Sequence, residues 1–279
     1  MAFLPALVIA RLETSRPEPR KSDQVPPERY FFLSYARENR KNADRERPDG
    51  SQFNLIDQFF ERLCQYLSDS TGVNSETVGY RDISGLDVSA PWRQELVQAM
   101  QAATTLVALI SPHYLRSLNC GREFDVFLKR YELYRVQIKS AIASPIIPVL
   151  WTNIDDCWPY ATQKARDFLR DFQLTGQGLP DDYPALGMCG QCEFARPQTF
   201  SQACRSLANR IKQLAEREPA LPRLEGVNDF HKLPSAFDLE QTHDKPVLPM
   251  PAPVFDLANM PPPAGAVGGP APPGLHLVS

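Results

Sequence analysis

The fold is decided by Thr105-Leu106-Val107-Ala108-Leu109-Ile110 and the run that follows it, Ser111-Pro112-His113-Tyr114-Leu115-Arg116-Ser117-Leu118-Asn119-Cys120-Gly121-Arg122-Glu123. The first six residues are almost continuously apolar, which predicts a strand buried on both faces. Ser-Pro ends that strand, so the next residues are expected at the carboxyl edge of a parallel sheet, where α/β folds bind ligands. Taken alone, Glu123 is typical of a surface charge that suits the start of a helix. Its surroundings suggest a second role.

Apolar strands alternate with amphipathic helices along most of the chain. Strands are predicted at 30–35, 77–80, 105–110 and 145–151, with a short last strand at 185–188. Helices are predicted at 53–67, 92–103, 120–134, 161–172 and 198–216. This alternation predicts an α/β fold, with a parallel sheet covered by helices on both faces. The highly charged stretch 37–51 is predicted to be a solvated loop.

The chain is predicted to have three parts: an N-terminal extension and linker at 1–28, a folded domain at 29–218, and a disordered tail at 219–279. About half of the 27 prolines lie in the tail, which holds too little apolar surface to offset the entropy of ordering it. Two apolar islands, at 236–239 and 254–260, interrupt it. They are either docking motifs for a protein partner, centred on Phe237 and Phe255, or chance apolar residues in a linker.

Composition excludes several classes of function. The net charge is −3, so no basic excess favours nucleic acid or an anionic membrane. The apolar run 2–10 is much shorter than the ~20 residues of a membrane helix. Positive charges follow it rather than precede it, which is the wrong order for a secretory signal. A weak membrane contact is the alternative. Several of the six cysteines lie on apolar helix faces, as reduced cysteines do, so we expect a cytoplasmic protein.

No cofactor or metal is expected. Cys189 and Cys192 form a lone Cys-x-x-Cys, whereas a zinc site needs four ligands, and the only further cysteines nearby are Cys157 and Cys204. The four histidines do not cluster, and no glycine-rich phosphate-binding motif is present.

Five motifs line up in order along the chain. They are Phe31-Phe32-Leu33-Ser34-Tyr35-Ala36-Arg37, Tyr80-Arg81-Asp82-Ile83-Ser84-Gly85, Trp92 to Met100, Leu109-Ile110-Ser111-Pro112-His113-Tyr114, and Ser117-Leu118-Asn119-Cys120-Gly121-Arg122-Glu123. Together they resemble the TIR (Toll/interleukin-1 receptor) domain family, over roughly residues 29–217. The opening strand and the Cys-Gly-Arg-Glu run look closest to bacterial TIR-like proteins that accompany FxSxx-COOH peptide gene clusters. The resemblance implies a flavodoxin-like, five-stranded parallel sheet.

The resemblance also implies a candidate activity. Some members of the family cleave the nicotinamide–ribose bond of NAD+, and their working carboxylate follows a Ser-x-x-Cys-x-x-Glu pattern that matches Ser117, Cys120 and Glu123 here. Glu123 is therefore the catalytic candidate. A carboxylate suits this chemistry, because bond cleavage builds positive charge on the ribose. Cys120 is expected to be a packing residue rather than a nucleophile.

Substrate-binding candidates come from the same resemblance. Tyr35 and Arg37 match residues that line the family's nucleotide cleft, and an arginine there suits a pyrophosphate. Asp82 begins the loop 82–91, which gates the cleft and mediates self-association in the family. Catalytic members often carry an aromatic residue four positions before the glutamate, and this chain has Asn119 there. Stacking would then come from Tyr114 or Phe124. Trp92 is expected to be a core residue or a part of the same cleft.

Two functions remain open at this point. The first is an NAD+ glycohydrolase or cyclase that uses Glu123 and needs NAD+ as substrate without a cofactor. The second is a non-catalytic interaction module that self-associates through its loops and recruits a protein partner through the proline-rich tail. The glutamate motif favours the first, and Asn119 and the long tail favour the second.

Overall fold

A computed structural model describes residues 28–46, 50–82, 90–138, 143–162, 165–166, 181–193, 196–217, 220–227 and 230–237. The strands are β1 Arg29–Ser34, β2 Asp44–Glu46, β3 Gln52–Asn54, β4 Gly79–Arg81, β5 Ala103–Ile110 and β6 Ile146–Leu150. The helices are α1 Arg37–Lys41, α2 Leu55–Thr71, α3 Ala90–Ala102, α4 Pro112–Arg116, α5 Leu118–Ile138, α6 Ile154–Cys157, α7 Tyr183–Glu193 and α8 Pro197–Ala215. Short 3-10 turns occur at Trp158–Tyr160 and Phe230–Lys232. Within these ranges, no helix combines the length and the apolar character needed to cross a membrane.

Four strands form one parallel sheet in the order β4-β1-β5-β6. β1 lies between β4 and β5, with Phe31 beside Gly79 on one side and Thr105 on the other. The connections along the chain carry helices, as crossovers between parallel strands require. The flavodoxin-like α/β fold expected from the sequence is confirmed.

Each face of the sheet is covered by its own set of helices, because successive side chains of a strand point to opposite faces. On one face, Phe31 and Leu33 of β1 pack with the apolar sides of α2, α7 and α8. On the other face, Phe32 packs with α3, α4 and α5. The buried strands are therefore apolar on both sides, which is why their sequences show runs instead of alternation.

The described sheet has four strands, and the predicted fifth strand at 185–188 is wrong, because these residues belong to α7. α7 covers the free edge of β6. The Tyr183 hydroxyl accepts a hydrogen bond from the Leu150 amide at 2.8 Å, and the Cys189 amide donates to the Trp151 carbonyl at 3.0 Å. Gly187 has a φ of 63°, and a Cβ atom there would lie 2.5 Å from the Trp151 carbonyl oxygen. Covering a strand edge with a helix satisfies its backbone groups as a further strand would.

The part of the stretch 37–51 that the structure describes, 37–46 and 50–51, is also more ordered than predicted. It contains α1 and β2, and β2 pairs antiparallel with β3, which follows the stretch. Ala43 is buried and its carbonyl accepts a hydrogen bond from the Leu55 amide. Arg40 donates to both carboxylate oxygens of Asp57, at 3.3 and 2.9 Å. This ion pair binds the charged stretch to α2. The charge of Arg40 therefore pairs with a carboxylate of the domain, whereas the prediction had the stretch exposed to solvent.

The chain beyond Glu218 packs on the domain as far as it is described. Residues 220–227 and 230–237, called here the C-terminal segment, lie against α3 and α5, and Phe230, Ala236 and Phe237 are buried. The prediction that the disordered tail begins at 219 is therefore wrong for these residues. The apolar island at 254–260 lies outside the described residues, as does most of the predicted helix at 161–172.

Candidate functional site

The candidate site lies where β1 and β5 end at the carboxyl edge of the sheet. β1 ends with Ser34, whose Cα pairs with that of Ala108. β5 ends at Ile110, and Ser111 then caps α4 by accepting a hydrogen bond from the Tyr114 amide at 3.0 Å. The sequence forces this turn, because the extended conformation of Ser111 is the one favoured before a proline, and Pro112 suits a first helical turn.

Cys120 and Glu123 share one face of α5, since residues three apart are neighbours on a helix, and Ser117 directly precedes that helix. The Ser117 hydroxyl accepts a hydrogen bond from the Cys120 amide at 3.3 Å and so begins the helix. Cys120 is buried, and burial raises the pKa of its thiol well above the usual range. It packs, as predicted, and is not an activated nucleophile.

Glu123 is buried, with 7% of its surface exposed. This differs from the surface charge that the glutamate alone would indicate. Its carboxyl group accepts a hydrogen bond from the Ser34 hydroxyl, with 2.5 Å between Oε2 and Oγ. The Tyr114 hydroxyl lies 3.0 Å from the same Ser34 oxygen. When the carboxyl group is ionised, hydrogen bonds run from Tyr114 through Ser34 to Glu123.

Burial raises the pKa of Glu123 to about 8. The Ser34 hydrogen bond lowers the pKa, the charge of Asp82 raises it, and the charge of Arg37 lowers it. Burial outweighs the favourable groups, so the carboxyl group is mostly protonated at neutral pH. A carboxyl group with a strongly shifted pKa in a cleft is a typical catalytic candidate.

A cleft of about 190 Å³ opens at this edge of the sheet. Four of the predicted site residues line it: Tyr35, Arg37, Asp82 and Glu123. Ser117, Asn119 and Cys120 of the glutamate motif line it as well. The cleft is smaller than the ~300 Å³ lower end of sites that enclose small-molecule ligands.

The fifth predicted residue, Tyr114, is not among the residues that line the cleft. Its side chain is fully buried, and its hydroxyl lies 3.0 Å from the Ser34 oxygen that bonds to Glu123. Phe124 is also buried. Both rings pack against Phe237, with centroids 5.6 and 5.2 Å apart. Neither ring offers a face to a ligand, so the stacking role suggested for them is not supported.

Tyr35 joins the ends of two strands at the cleft. Its hydroxyl donates a hydrogen bond to the carbonyl of Asp82, which follows β4. Burial raises the pKa of Tyr35 to about 12, so the hydroxyl remains a donor at physiological pH. This contact fixes the first residue of the loop 82–91. The rest of that loop, from 83 to 89, lies outside the described residues, as does the side chain of Trp92.

The sequence reasoning missed Ser34 and several residues that line the cleft, among them Glu38 and Phe230. Ser34 could have been found, because it is a hydroxyl residue in an otherwise apolar strand, at the end where ligands bind. Phe230 lines the cleft from the C-terminal segment, and no local pattern indicates it. Among the described residues, no three histidine, cysteine or acidic side chains are grouped as metal ligands. The side chain of Cys192, in the Cys189 and Cys192 pair, lies outside the described residues.

Comparison with known proteins gives one family match. Residues 56–179 match the family model described as TIR domain. The match begins after β1 and ends before α7, α8 and the C-terminal segment, so it includes Asp82 and Glu123 of the cleft but not Tyr35, Arg37 or Phe230. No curated protein and no solved structure matches the chain significantly.

Proposed function

The chain carries a TIR domain, and on that premise we propose that this signalling- or defence-type protein cleaves NAD+ between nicotinamide and ribose. The observation that carries the proposal is the position of Glu123, a buried carboxyl group at a cleft on the ligand-binding edge of the sheet. NAD+ is the substrate, and no further cofactor is required.

The chemistry follows from the charge that develops. The bond between ribose C1′ and the nicotinamide nitrogen breaks, and its electron pair leaves with nicotinamide. The ribose becomes positively charged, and an ionised Glu123 beside it stabilises that charge. Water then adds to C1′ and releases a proton, giving ADP-ribose. Attack by a group of the same nucleotide would give a cyclic product instead.

The other cleft residues have roles that suit a dinucleotide. Arg37 is exposed and lies at the cleft, where its guanidinium can bind the pyrophosphate with two parallel hydrogen bonds. Tyr35 and Asp82 hold the two strand ends that flank the ribose position. The Ser34 hydroxyl orients the Glu123 carboxyl group. Ser34 is therefore a positioning residue.

The test is incubation of the purified full chain with NAD+ at high concentration, followed by separation of nicotinamide and ADP-ribose. We expect Glu123→Gln to lower turnover by about 100-fold or more, as the loss of one preorganised electrostatic group does. Glu132→Gln is the matched control, because Glu132 lies on the same helix but is exposed. Equal activity of wild type and Glu123→Gln would remove the glutamate from the mechanism.

A second candidate function is a non-catalytic module that self-associates through the loop 82–91 and recruits a protein partner through the tail. The small cleft and the Asn119 side chain, which accepts a hydrogen bond from Arg122 at 3.3 Å, favour it. Light scattering across a dilution series, together with the NAD+ assay, separates the two. Assembly without any turnover at the highest concentration supports the module. We further propose a cytoplasmic location.

A further inference from the structure

The backbone of the C-terminal segment is hydrogen-bonded to the domain at several points. The buried guanidinium of Arg130 donates to the carbonyls of Pro222 and Leu221, at 2.8 and 3.3 Å. The same guanidinium donates to the carbonyls of Met100 and Ala103, where α3 ends. Further along, the Leu224 amide and carbonyl both bond to the side chain of Gln101 at 3.0 Å. The segment therefore has a built binding site on α3 and α5.

At Gly121 the backbone of the segment contacts the backbone of α5 directly. Its carbonyl accepts a hydrogen bond from the Ala236 amide at 2.9 Å. A Cβ atom at Gly121 would lie 1.9 Å from the Ser235 hydroxyl oxygen and 3.0 Å from Ser235 Cβ. Glycine is unfavourable inside a helix, and here it provides the space that the segment occupies. Gly121 lies two residues before Glu123, so docking and the candidate site share one turn of helix.

The next residue of the helix, Arg122, holds the middle of the segment. It donates to the carbonyls of His231 and Leu233, at 2.7 and 3.1 Å. Its guanidinium lies 5.8 Å from the centre of the Phe230 ring. Phe230 is fully buried and forms part of the cleft wall with Glu123.

We propose that the C-terminal segment is an intramolecular cover that holds the Glu123 cleft closed, and that its release opens the cleft to substrate. Two observations carry this. The cleft measures about 190 Å³, below the ~300 Å³ of sites that enclose small ligands, and Phe230 of the segment is among the residues that line it. The segment is also hydrogen-bonded to the turn of α5 that carries Glu123, at the Gly121 carbonyl and the Arg122 guanidinium. The part of the proposal that concerns substrate rests on the proposed function, and the part that concerns docking does not.

The environment of Glu123 determines how its pKa changes when the C-terminal segment is released. Arg37 and Glu38 of α1 and Asp82 after β4 line the same cleft, while Tyr114 and Cys120 face the carboxyl group from α4 and α5. On the segment, His231 and Lys232 follow Phe230 and are exposed. Burial is the largest cause of the raised Glu123 pKa. Admitting water therefore lowers that pKa and increases the ionised fraction that the chemistry requires.

The experiment compares three full-length proteins: wild type, Gly121→Ala, and Gly121→Ala with Ser235→Gly. Alanine favours the helix, so the single variant perturbs the docking of Ser235 and not α5 itself. The double variant removes the colliding side chain and is the matched control. Hydrogen exchange at the Ala236 amide reports docking, carboxyl NMR reports the pKa of Glu123, and NAD+ turnover at pH 7 reports the site.

In Gly121→Ala we expect Ala236 exchange to accelerate at least about 10-fold, since its hydrogen bond is lost to local opening. We expect the Glu123 pKa to fall by about one unit or more, which raises the ionised fraction at pH 7 roughly 5-fold and turnover with it. The double variant should return toward wild type. Phe237→Ser releases the same end of the segment without altering α5, and should act like Gly121→Ala.

The proposal that the segment covers Glu123 would be overturned if hydrogen exchange at the Ala236 amide, or the pKa of Glu123, were unchanged in both Gly121→Ala and Phe237→Ser. Turnover that falls on release would also overturn it, and would make the segment a required part of the site. If no protein in the series turns over NAD+, the proposed function fails. Exchange and the carboxyl pKa then still decide whether the segment covers Glu123.

Discussion

Replacing Glu123 by glutamine should change how the stability of this protein depends on pH. Burial in the folded protein raises the pKa of Glu123 from 4.5 to about 8. A carboxyl group whose pKa is raised by folding destabilises the folded state wherever the unfolded chain would ionise it. The penalty is absent below pH 4.5, grows as the pH rises, and is complete above pH 8.

The size of the effect follows from that shift, at about 1.36 kcal/mol per pKa unit. Ionisation of Glu123 should lower the free energy of unfolding by about 2.5 kcal/mol between pH 5 and pH 7, and by roughly one more up to pH 8. Glutamine has nearly the same shape and can still bond to the Ser34 hydroxyl, but it does not ionise. Glu123→Gln should therefore become progressively more stable than wild type as the pH rises.

Urea denaturation at pH 5, 6, 7 and 8 measures this, with the difference between the two proteins isolating Glu123 from all other titrating groups. Glu132→Gln again serves as control, because an exposed carboxyl group should give a difference that stays flat with pH. Parallel pH curves for wild type and Glu123→Gln would refute the reasoning, since they would mean that the carboxyl group is hydrated in the folded protein. The sequence alone suggested an exposed glutamate with little influence on folding, so this measurement separates the two interpretations.

Three further outcomes are expected. Phe59→Ala removes a fully buried ring whose centroid lies 6.1 Å from that of Trp151. It should lower the free energy of unfolding by about 3–5 kcal/mol in urea titrations. A loss below about 1 kcal/mol would contradict the assignment of Phe59 to the core. Asn54→Ala removes the side chain that caps α2 through the Ile56 amide, and should cost about 1 kcal/mol in the same titrations. Asn54→Asp should not restore the loss, because the Asn54 amide nitrogen donates to the Arg40 carbonyl and to the Asp44 carboxylate, both at 2.8 Å. Ending the chain after residue 217 removes the buried rings of Phe230 and Phe237, and should lower the melting temperature by on the order of 10 °C; an unchanged melting temperature would show that the segment does not pack.

The fold was predictable because its signals are local. The buried run 105–110 appears as β5, and the apolar stripe of 53–67 appears as α2. The predicted strand at 185–188 failed because a short apolar run does not distinguish a strand from a buried helix. Contacts far away in sequence determine that this run is helical. The edge of β6 needs hydrogen-bond partners, and Tyr183 of α7 supplies one of them.

The candidate site was only partly predictable. The family resemblance predicted Glu123, Tyr35 and Arg37 as site residues, and all three line the cleft. The burial of Glu123 depends on contacts made by residues far away in sequence, such as Ser34, and spacing along α5 carries no information about them. The orientation of Tyr114 away from the cleft is likewise set by Phe237, from a part of the chain whose composition indicated disorder.

The way Arg130 holds the C-terminal segment has a consequence for what a proline-rich sequence can do. Proline lacks the amide proton that helices and sheets use, but it keeps a carbonyl oxygen with full acceptor strength. Arg130 binds the segment at the carbonyls of Leu221 and Pro222. The missing amide proton of proline therefore does not weaken these hydrogen bonds. A domain that binds chain at its carbonyl oxygens can therefore order a stretch in which proline removes amide donors. Proline content measures the lack of donors in such a stretch and says nothing about whether it is bound.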